Sequence, residues 1–206
     1  MDGAVGTADR PILCAFRHPC RRVCPLWWDD PVPDVTLKPW STDDLETLRR
    51  SNAPEMMTYL GGPETEEKLL TRQERYLRLG REGEAHMFRI VTPEHPEGVG
   101  VIGYWNAVHA DTAVYETGWS VESAYQGQGV GTKALVAVLE HAGFVGGRRS
   151  VHAYPRTDNA ASNAICAKAG MTFNGEMDFE YPPGTPIRCN DWEFVLEPPP
   201  VPPSAE

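Results

Sequence analysis

Apolar and polar residues alternate along this chain in short blocks that predict strands and amphipathic helices. Period-two alternation predicts a strand, and apolar positions three and four residues apart predict a helix. Strands are predicted at residues 35–38, 85–91, 99–108, 114–121, 150–154, 172–181 and 191–196. Helices are predicted at residues 45–50, 64–79, 132–142 and 159–169, with a short helix starting near Pro54. Several strands follow one another without a helix between them, which indicates an α+β fold.

The connections predict how these strands pair in a sheet. A turn at residues 92–98 joins the second and third predicted strands, and Ala110 with Asp111 joins the third and fourth. Because such short connections cannot join parallel strands, these three strands should form an antiparallel meander. The fourth strand reaches the fifth through the helix at residues 132–142, which predicts a parallel pair. The expected sheet is therefore mixed, mostly antiparallel and twisted, with helices flanking it.

Composition divides the chain into one folded domain and two flanking segments. Residues 1–33 contain repeated prolines and little apolar periodicity, which predicts a poorly ordered N-terminal extension. Residues 34–197 carry the periodic pattern and form the expected domain, and residues 198–206 form a Pro-rich tail.

Two local predictions concern single residues. Ser41 and Asp44 match a capping box at the start of the first helix. His109 falls at a predicted turn, where we expect it to be solvated.

Charge and composition narrow the classes of function. The 206 residues carry a formal net charge of −10, which argues against a nucleic-acid-binding protein. No apolar run is long enough to span a membrane, and the N-terminal residues show no signal-peptide pattern, so a cytoplasmic location is expected. The five cysteines have irregular spacing that fits no metal-ligand motif. We therefore expect reduced thiols and no metal site.

A glycine-rich stretch, Gln126-Gly127-Gln128-Gly129-Val130-Gly131, separates the fourth predicted strand from the following helix. Glycine lets a ligand approach the backbone, and the start of a helix offers N–H groups to a phosphate. A Walker loop is excluded because Lys133 follows Thr132 and not glycine. A dinucleotide fingerprint is excluded because the glycine spacing is one residue short. The stretch fits a pyrophosphate-binding pattern, Gln-x-x-Gly-x-Gly, and a glycine-rich turn without a ligand is the alternative.

Three motifs carry a resemblance to a known family and follow one another along the chain in the order that the family has. They are the strand residues 115–121, the glycine-rich stretch, and residues 158–163 followed by Gly170 and Met171. Over residues 35–196 the chain resembles the GNAT acetyltransferases, and most of all the RimJ/RimL-type N-acetyltransferases. The resemblance implies a GNAT-like fold, in which two neighbouring parallel strands splay apart and bind CoA.

The resemblance implies an acetyl-CoA-dependent N-acetyltransferase. Its expected reaction moves an acetyl group to a primary amine, either a protein N-terminus or a small-molecule amine, by direct attack in a ternary complex. The resemblance implies no metal and no nucleic-acid or membrane partner. It is compatible with a homodimer. The residues expected to bind the cofactor are Ser120, Val121, Gln126, Gly127, Gln128, Gly129, Val130, Gly131, Thr132, Asn159 and Ser162. The alternative is a non-catalytic GNAT-like module that binds acyl-CoA.

Three residues are candidates for catalytic roles under this resemblance. Glu116, before the glycine-rich stretch, and Glu180, in the segment 179–181, are candidate general bases, and Glu180 has the longer match. A solvated strand carboxylate is the alternative for each. Ser162 is the candidate group at the leaving thiol, with helix capping beside Asn159 as its alternative role. Cys166 replaces a tyrosine that many members of the family carry, and we expect a buried thiol and not a covalent nucleophile.

Overall fold

The computed structural model describes residues 33–181 and 184–196, which form one sheet with helices on both faces. The strands are β1 (Thr36–Pro39), β2 (Ala85–Thr92), β3 (His95–His109), β4 (Thr112–Val121), β5 (Ser150–Ala153), β6 (Thr172–Glu180) and β7 (Pro186–Val195). The α-helices are α1 (Leu45–Ser51), α2 (Glu66–Glu82), α3 (Val130–Val145) and α4 (Ala160–Lys168). Short 3-10 turns occupy Thr42–Asp44, Pro54–Met56 and Ser123–Tyr125.

The strand order confirms the predicted mixed sheet. Within the described residues, seven strands lie in the order β1-β2-β3-β4-β5-β7-β6. β2, β3 and β4 form the predicted antiparallel meander. β4 and β5 run parallel, with α3 in the connection between them. The return of β7 between β5 and β6 completes a mostly antiparallel sheet.

The two faces of the sheet carry different helices. On one face, Ile102 of β3 and Tyr115 of β4 share a core with Leu135 of α3 and Cys166 of α4. On the other face, Arg89 of β2 forms an ion pair with Asp44 at the start of α1. We call these the α3 face and the α1 face. Because successive strand residues alternate between faces, the even-numbered residues of β4 point to the α1 face.

Local signals explain several helix ends. Ser41 and Asp44 form the predicted capping box, in which Asp44 Oδ2 accepts the Ser41 N–H at 2.7 Å. Thr65 caps α2 by accepting the Lys68 N–H. Gly83 ends α2 with a φ of 72°, which is a left-handed conformation that glycine adopts readily. α2 therefore continues to Glu82, past its predicted end at residue 79.

Two predicted turns are shorter in the structure. β3 begins at His95 and not at residue 99, because Thr92 pairs with His95 across the hairpin. β7 begins at Pro186 and not at residue 191, because residues 186–190 continue the ladder with β6. In both places strand pairing overrides the local turn signal of proline and glycine, since backbone hydrogen bonds across the ladder outweigh weak residue preferences.

Parts of the predicted domain organisation lie outside the described residues. The N-terminal extension, apart from Pro33, and the Pro-rich tail are among them, so both stay predictions. Pro33 contacts the domain, where its carbonyl accepts a hydrogen bond from Lys133 Nζ at 3.3 Å. Among the described cysteines, Cys166 and Cys189 are buried free thiols. No helix in residues 33–181 and 184–196 is long and apolar enough to cross a membrane.

Candidate active site

β4 and β5 separate partway along their length. Their parallel ladder contains the pairs Tyr115–Val151 and Glu116–His152. β4 then continues to Val121, with no further partner in β5 among the described residues. This opening presents backbone N–H and C=O groups of β4 toward the side of β5, and such groups need hydrogen-bond partners. The opening therefore fits the predicted splayed pair of parallel strands.

The glycine-rich loop lies where β4 ends. It passes from Val121 through a 3-10 turn into α3, and Gln126, Gly127 and Gln128 are exposed. Gly127 and Gly129 have φ angles of 74° and 80°, a region that favours glycine. The first N–H groups of an α-helix have no intrahelical acceptor, and Gly129, the N-cap of α3, has no side chain that could accept from them. This arrangement fits a pyrophosphate or another anion.

Two glutamines hold the backbone of this loop. Gln126 Nε2 donates to the Val121 carbonyl oxygen at 2.8 Å, and Gln128 Nε2 donates to the Ala124 carbonyl oxygen at 2.9 Å. Gln126 Nε2 also lies 3.7 Å from Met56 Sδ, in the connection between α1 and α2. The glutamine that begins the motif therefore shapes the loop through its own side chain.

The third glycine of the motif has a packing role. Gly131 is buried on the first turn of α3, and a Cβ there would lie 2.7 Å from Ile165 Cδ1 of α4. Its missing side chain lets the two helices approach closely. Motif spacing assigns Gly131 to the loop, and only the packing of α3 on α4 reveals this second role.

α4 begins beside the opening and carries the second motif. Asn159 Oδ1 accepts the Ser162 N–H at 3.1 Å and caps the helix, and Ser162 is half-buried on the first turn. Asn163 organises this region, although sequence reasoning did not single it out. Its Oδ1 accepts hydrogen bonds from Asn190 Nδ2 at 2.7 Å and from Trp192 Nε1 at 2.9 Å. The only sequence signal for Asn163 was its position inside the second motif. Its role could not be read from that position, because its partners on β7 are remote in sequence.

Glu116 occupies the last paired position before the strands separate, and it points to the α1 face. The carboxylate is half-buried and accepts a hydrogen bond from the Trp105 side chain. Burial raises the pKa of Glu116, while Trp105 and His152 oppose this shift. A carboxylate with a raised pKa is a better proton acceptor than an exposed glutamate.

Glu180 is exposed, and its side chain points to the opposite face from Glu116. Its neighbour Phe179 stacks on Tyr154 with ring centroids 5.2 Å apart, and Tyr154 stacks on His152 of the α1 face. Alternation along β6 therefore directs Glu180 to the α3 face. Its Oε2 accepts the Gly184 N–H at 3.4 Å. The structure thus separates the two candidate bases and places Glu116 beside the opening.

The connection between α1 and α2 contacts the connection between β5 and α4. Tyr59, between α1 and α2, lies with its ring centroid 5.9 Å from the Arg156 guanidinium carbon, between β5 and α4. Trp105 covers β4 at Gly118, where a Cβ would lie 3.1 Å from the indole. The Trp105 indole therefore lies beside Glu116, its cross-strand partner.

Cys166 lies fully buried in the core between α3 and the sheet. Burial raises the pKa of its thiol to about 12, so the thiol is neutral at physiological pH. A neutral, buried thiol is a poor nucleophile, which supports the expectation from the sequence.

A polar network that sequence reasoning missed lies on the α1 face of β5. The buried His152 contacts Asp191 Oδ1 at 2.8 Å through Nδ1 and Ser150 Oγ at 3.1 Å through Nε2. His109 stacks on His152 with ring centroids 4.4 Å apart, and its Nδ1 contacts the Tyr154 hydroxyl at 2.9 Å. The expectation of a solvated His109 is corrected, because the turn between β3 and β4 folds this ring against β5 and leaves it half-buried.

Comparison with protein families identifies the class of this protein. Residues 34–172 match the family model described as acetyltransferase (GNAT) domain. Since the match spans more than half of the chain, the chain belongs to the GNAT acetyltransferase family.

One curated relative is a ribosomal-protein acetyltransferase. The ribosomal-protein-serine acetyltransferase of Escherichia coli (strain K12) is 31% identical over 97 residues, which are 47% of this chain and 52% of that protein. The chain thus spans about half the length of the curated relative it matches.

Solved structures of acetyltransferases share the fold of this chain. An acetyltransferase from Salmonella typhimurium, described as modifying the N-terminal serine of ribosomal protein L7/L12, has a TM-score of 0.68 at 23% identity and covers 79% of this chain and 95% of its own. The L7/L12 α-N-protein acetyltransferase RimL, in complex with coenzyme A, has a TM-score of 0.67 at 21% identity and covers 81% of this chain and 97% of its own.

Proposed function

We propose that the protein is an acetyl-CoA-dependent N-acetyltransferase acting on a primary amine. The observation that carries this proposal is the opening between β4 and β5, which has the glycine-rich loop at one end and the half-buried Glu116 at the other. Membership of the GNAT family supports the same reaction class. A module that only binds acyl-CoA needs the loop and the opening, but it has no use for a carboxylate with a raised pKa.

The residues along the opening fit acetyl-CoA as the co-substrate. The glycine conformations of the loop and the uncapped start of α3 fit a pyrophosphate at residues 126–132. The backbone of Ser120 and Val121 fits an amide-bearing pantetheine arm, and among the described residues Ser120 Oγ is buried without a hydrogen-bond partner. Asn159 and Ser162 follow β5, the second strand of the opening. Acetyl-CoA supplies the acetyl group as a thioester.

Glu116 is the proposed general base. It takes a proton from the acceptor ammonium, and the neutral amine then attacks the thioester carbonyl. A backbone N–H of β4 at the opening stabilises the oxyanion. Ser162 is the proposed proton donor to the leaving thiolate, since Cys166 is buried away from the cleft.

The proposed acceptor is the α-amino group of a protein. The relatives named above act on an N-terminal serine of a ribosomal protein or carry the name of a ribosomal-protein-serine acetyltransferase. An α-amino group has a pKa near 8, whereas a lysine or polyamine amine lies near 10.4. A carboxylate base therefore removes the proton from an α-amino group at a smaller free-energy cost. A small-molecule amine is the second candidate.

Release of CoA thiol from acetyl-CoA tests this proposal. The acceptors are a synthetic peptide beginning with serine, the same peptide with a blocked N-terminus, and spermidine. We expect thiol release and a mass increase of one acetyl group with the first peptide and neither with the blocked peptide. Calorimetric binding of acetyl-CoA without thiol release for any acceptor would contradict an enzyme and favour the non-catalytic module.

A further inference from the structure

Three side chains of the kind that bind metal ions meet on the α1 face, close to the turn between β3 and β4. They are His109 at the end of β3, His152 of β5 and Asp191 of β7. One ligand atom from each of these residues lies within 4.8 Å of the other two. The expectation of no metal site rested on the spacing of the cysteines, whereas these three residues are remote from one another in sequence and include no cysteine.

The distances in this cluster are close to those of a metal site. His152 Nδ1 lies 2.8 Å from Asp191 Oδ1, and His109 Nε2 lies 3.4 Å from Asp191 Oδ2. Around a tetrahedral zinc ion with bonds of about 2.0–2.2 Å, neighbouring ligand atoms lie roughly 3.3–3.6 Å apart. A shift of about 1 Å brings all three atoms to such a distance. The His109 ring can make it, since its side chain is 28% exposed.

The outer nitrogen of each imidazole ring already has a hydrogen-bond partner. His109 Nδ1 lies 2.9 Å from the Tyr154 hydroxyl, and His152 Nε2 lies 3.1 Å from Ser150 Oγ. Both hydroxyl oxygens can accept an N–H. Histidines that bind metals commonly use the second nitrogen in this way, which fixes the orientation of the ring. Each ring can therefore carry its N–H on the outer nitrogen and present a lone pair on the nitrogen beside Asp191.

The cluster has an excess of buried negative charge. Asp191 is buried, and among the residues that the structure describes its ion-pair partners are the two histidines, which carry a charge only when protonated. Glu193 adds a second carboxylate, with Oε1 at 3.7 Å from His152 Nε2. Because a buried carboxylate is costly unless a positive charge or hydrogen bonds compensate it, a bound cation would stabilise this arrangement.

A cavity beside the cluster has room for water and gives access from solvent. Its volume is about 200 Å³, and both histidines line it together with Asn174 and Glu193. Ala110 and Thr112, which also line it, are exposed. A zinc ion with three protein ligands keeps its fourth position for water, and the cavity lies where that water is needed.

We propose that His109, His152 and Asp191 form a binding site for a divalent transition-metal ion, with cavity water as the remaining ligand. Two imidazoles and one carboxylate suit zinc and its neighbours in the first transition row. The ion connects β3, β5 and β7, so its binding stabilises the folded chain. The site does not depend on the proposed acetyl transfer, because none of its ligands is a proposed catalytic residue.

Titration of the untagged full chain with zinc chloride tests the site by calorimetry and by thermal melting. At free zinc 100-fold above the Kd, the melting temperature of the wild type should rise by roughly 5–10 °C. His109→Gln and Asp191→Asn each replace a ligand with an amide, so both should lose most of this rise and bind zinc at least tenfold more weakly. His141→Gln is the matched control, since His141 bonds Tyr104 on the α3 face and should leave zinc binding unchanged.

Cobalt(II) separates this site from the cysteines of the chain. Cys14, Cys20 and Cys24 lie close together in sequence and could bind zinc independently. Thiolate ligands give bound cobalt strong near-ultraviolet absorption, whereas nitrogen and oxygen ligands give visible bands alone. The difference spectrum between the wild type and His109→Gln should therefore contain visible bands without the near-ultraviolet absorption of thiolates.

Equal zinc affinity and equal melting shifts in the wild type and His109→Gln would overturn the site, and so would the absence of zinc binding below millimolar concentration. If neither cluster variant folds, a chain with Cys14, Cys20 and Cys24 all replaced by serine carries the test. It should still bind cobalt with visible bands, and a loss of binding there would overturn the proposal. None of these readouts uses turnover, so failure of the metal site and failure of the proposed acetyl transfer are distinguishable.

Discussion

The chemistry of Glu116 is set by side chains on the two neighbouring strands. Trp105 of β3 and His152 of β5 are its cross-strand partners, and both favour the ionised carboxylate. Burial acts in the opposite direction and is the largest effect, so the pKa of Glu116 is raised. A raised pKa makes the carboxylate a stronger proton acceptor, which suits the proposed role of Glu116 as the base.

Replacing Glu116, the proposed base, should slow the reaction strongly. We expect Glu116→Gln to lower kcat/KM at neutral pH by roughly 10²–10⁴-fold, with partial recovery at higher pH, where the amine loses its proton unaided. Glu180→Gln is the matched control, because Glu180 is exposed and points to the α3 face, so its rates should stay near those of the wild type. Both variants are assayed across pH, with CoA affinity measured separately. Near-normal rates in both would show that neither carboxylate is the base.

The ionised form of Glu116 should also destabilise the fold. Its pKa is higher in the folded state, so below the ordinary value of about 4.3 the carboxyl is protonated in both states. As pH rises from there through the folded pKa, the unfolded state loses its proton first and stability falls. Glu116→Gln should therefore melt at a higher temperature than the wild type at pH 8, and this gain should shrink at pH 4. A gain that is equal at both pH values would contradict the effect of burial.

Cys166 should matter for packing and not for chemistry. Cys166→Ala leaves a small gap in the core between α3 and α4, so we expect a loss of roughly 1 kcal/mol in the free energy of unfolding. Turnover should be near that of the wild type, because the proposed direct attack of the amine requires no acyl-enzyme. Mass spectrometry of the wild-type protein during turnover checks this directly: an acetylated Cys166 together with an inactive Cys166→Ala would show a covalent mechanism.

At the scale of elements, the junction of β4 with α3 combines binding with packing. Gly127 and Gly129 adopt backbone conformations that leave the start of α3 uncapped, and Gly131 lets α4 approach. Gln126 ties the loop to the end of β4 and touches the α1–α2 connection. A change in this loop should therefore alter both the proposed anion site and the packing of α3 on α4.

Gly129→Val should abolish CoA binding. A β-branched side chain at a φ of 80° is strained and occupies the space through which a pyrophosphate would approach the backbone. Gly83→Val is the matched control, because Gly83 has a φ of 72° and ends α2 with open space around a Cβ. Both variants should lose stability, but only Gly129→Val should lose CoA affinity by calorimetry. Unchanged affinity in Gly129→Val would contradict the assignment of the loop.

At the scale of the whole molecule, the strand order brings distant residues into one site. β7 inserts between β5 and β6, so Asp191 meets His152 although the two are 39 residues apart. The same order places Asn190 and Trp192 against Asn163 of α4. β7, the last strand in the described part of the chain, therefore positions residues that border the opening in the middle of the sheet.

The folded unit should not depend on the N-terminal extension. Its composition predicts poor order, so a chain beginning at Asp34 should melt and turn over as the full chain does. Thermal melting of the two forms is the measurement, with thiol release as the second readout. The extension contains two adjacent tryptophans, Trp27 and Trp28, and a large drop in melting temperature would show that they pack on the domain.

The amino-acid sequence by itself determined the local features of this protein. Apolar periodicity located the strands and helices, because each depends on residues a few positions apart. The capping box of Ser41 and Asp44 and the glycine-rich loop were readable for the same reason. The motif order was specific enough to indicate the family that residues 34–172 match. The predicted starts of β3 and β7 were less accurate, because strand pairing extends both strands past local turn signals.

Only the tertiary structure decided which distant side chains share a face and a site. A one-residue change of register reverses the face to which a strand side chain points, and no local pattern reports the register between remote strands. The resemblance favoured Glu180 as the general base. Strand pairing instead directs Glu180 away from the α1 face and leaves Glu116 beside the opening. The contact of His152 with Asp191 and the packing role of Gly131 arise in the same way, because both depend on elements that meet only after the sheet and helices have assembled.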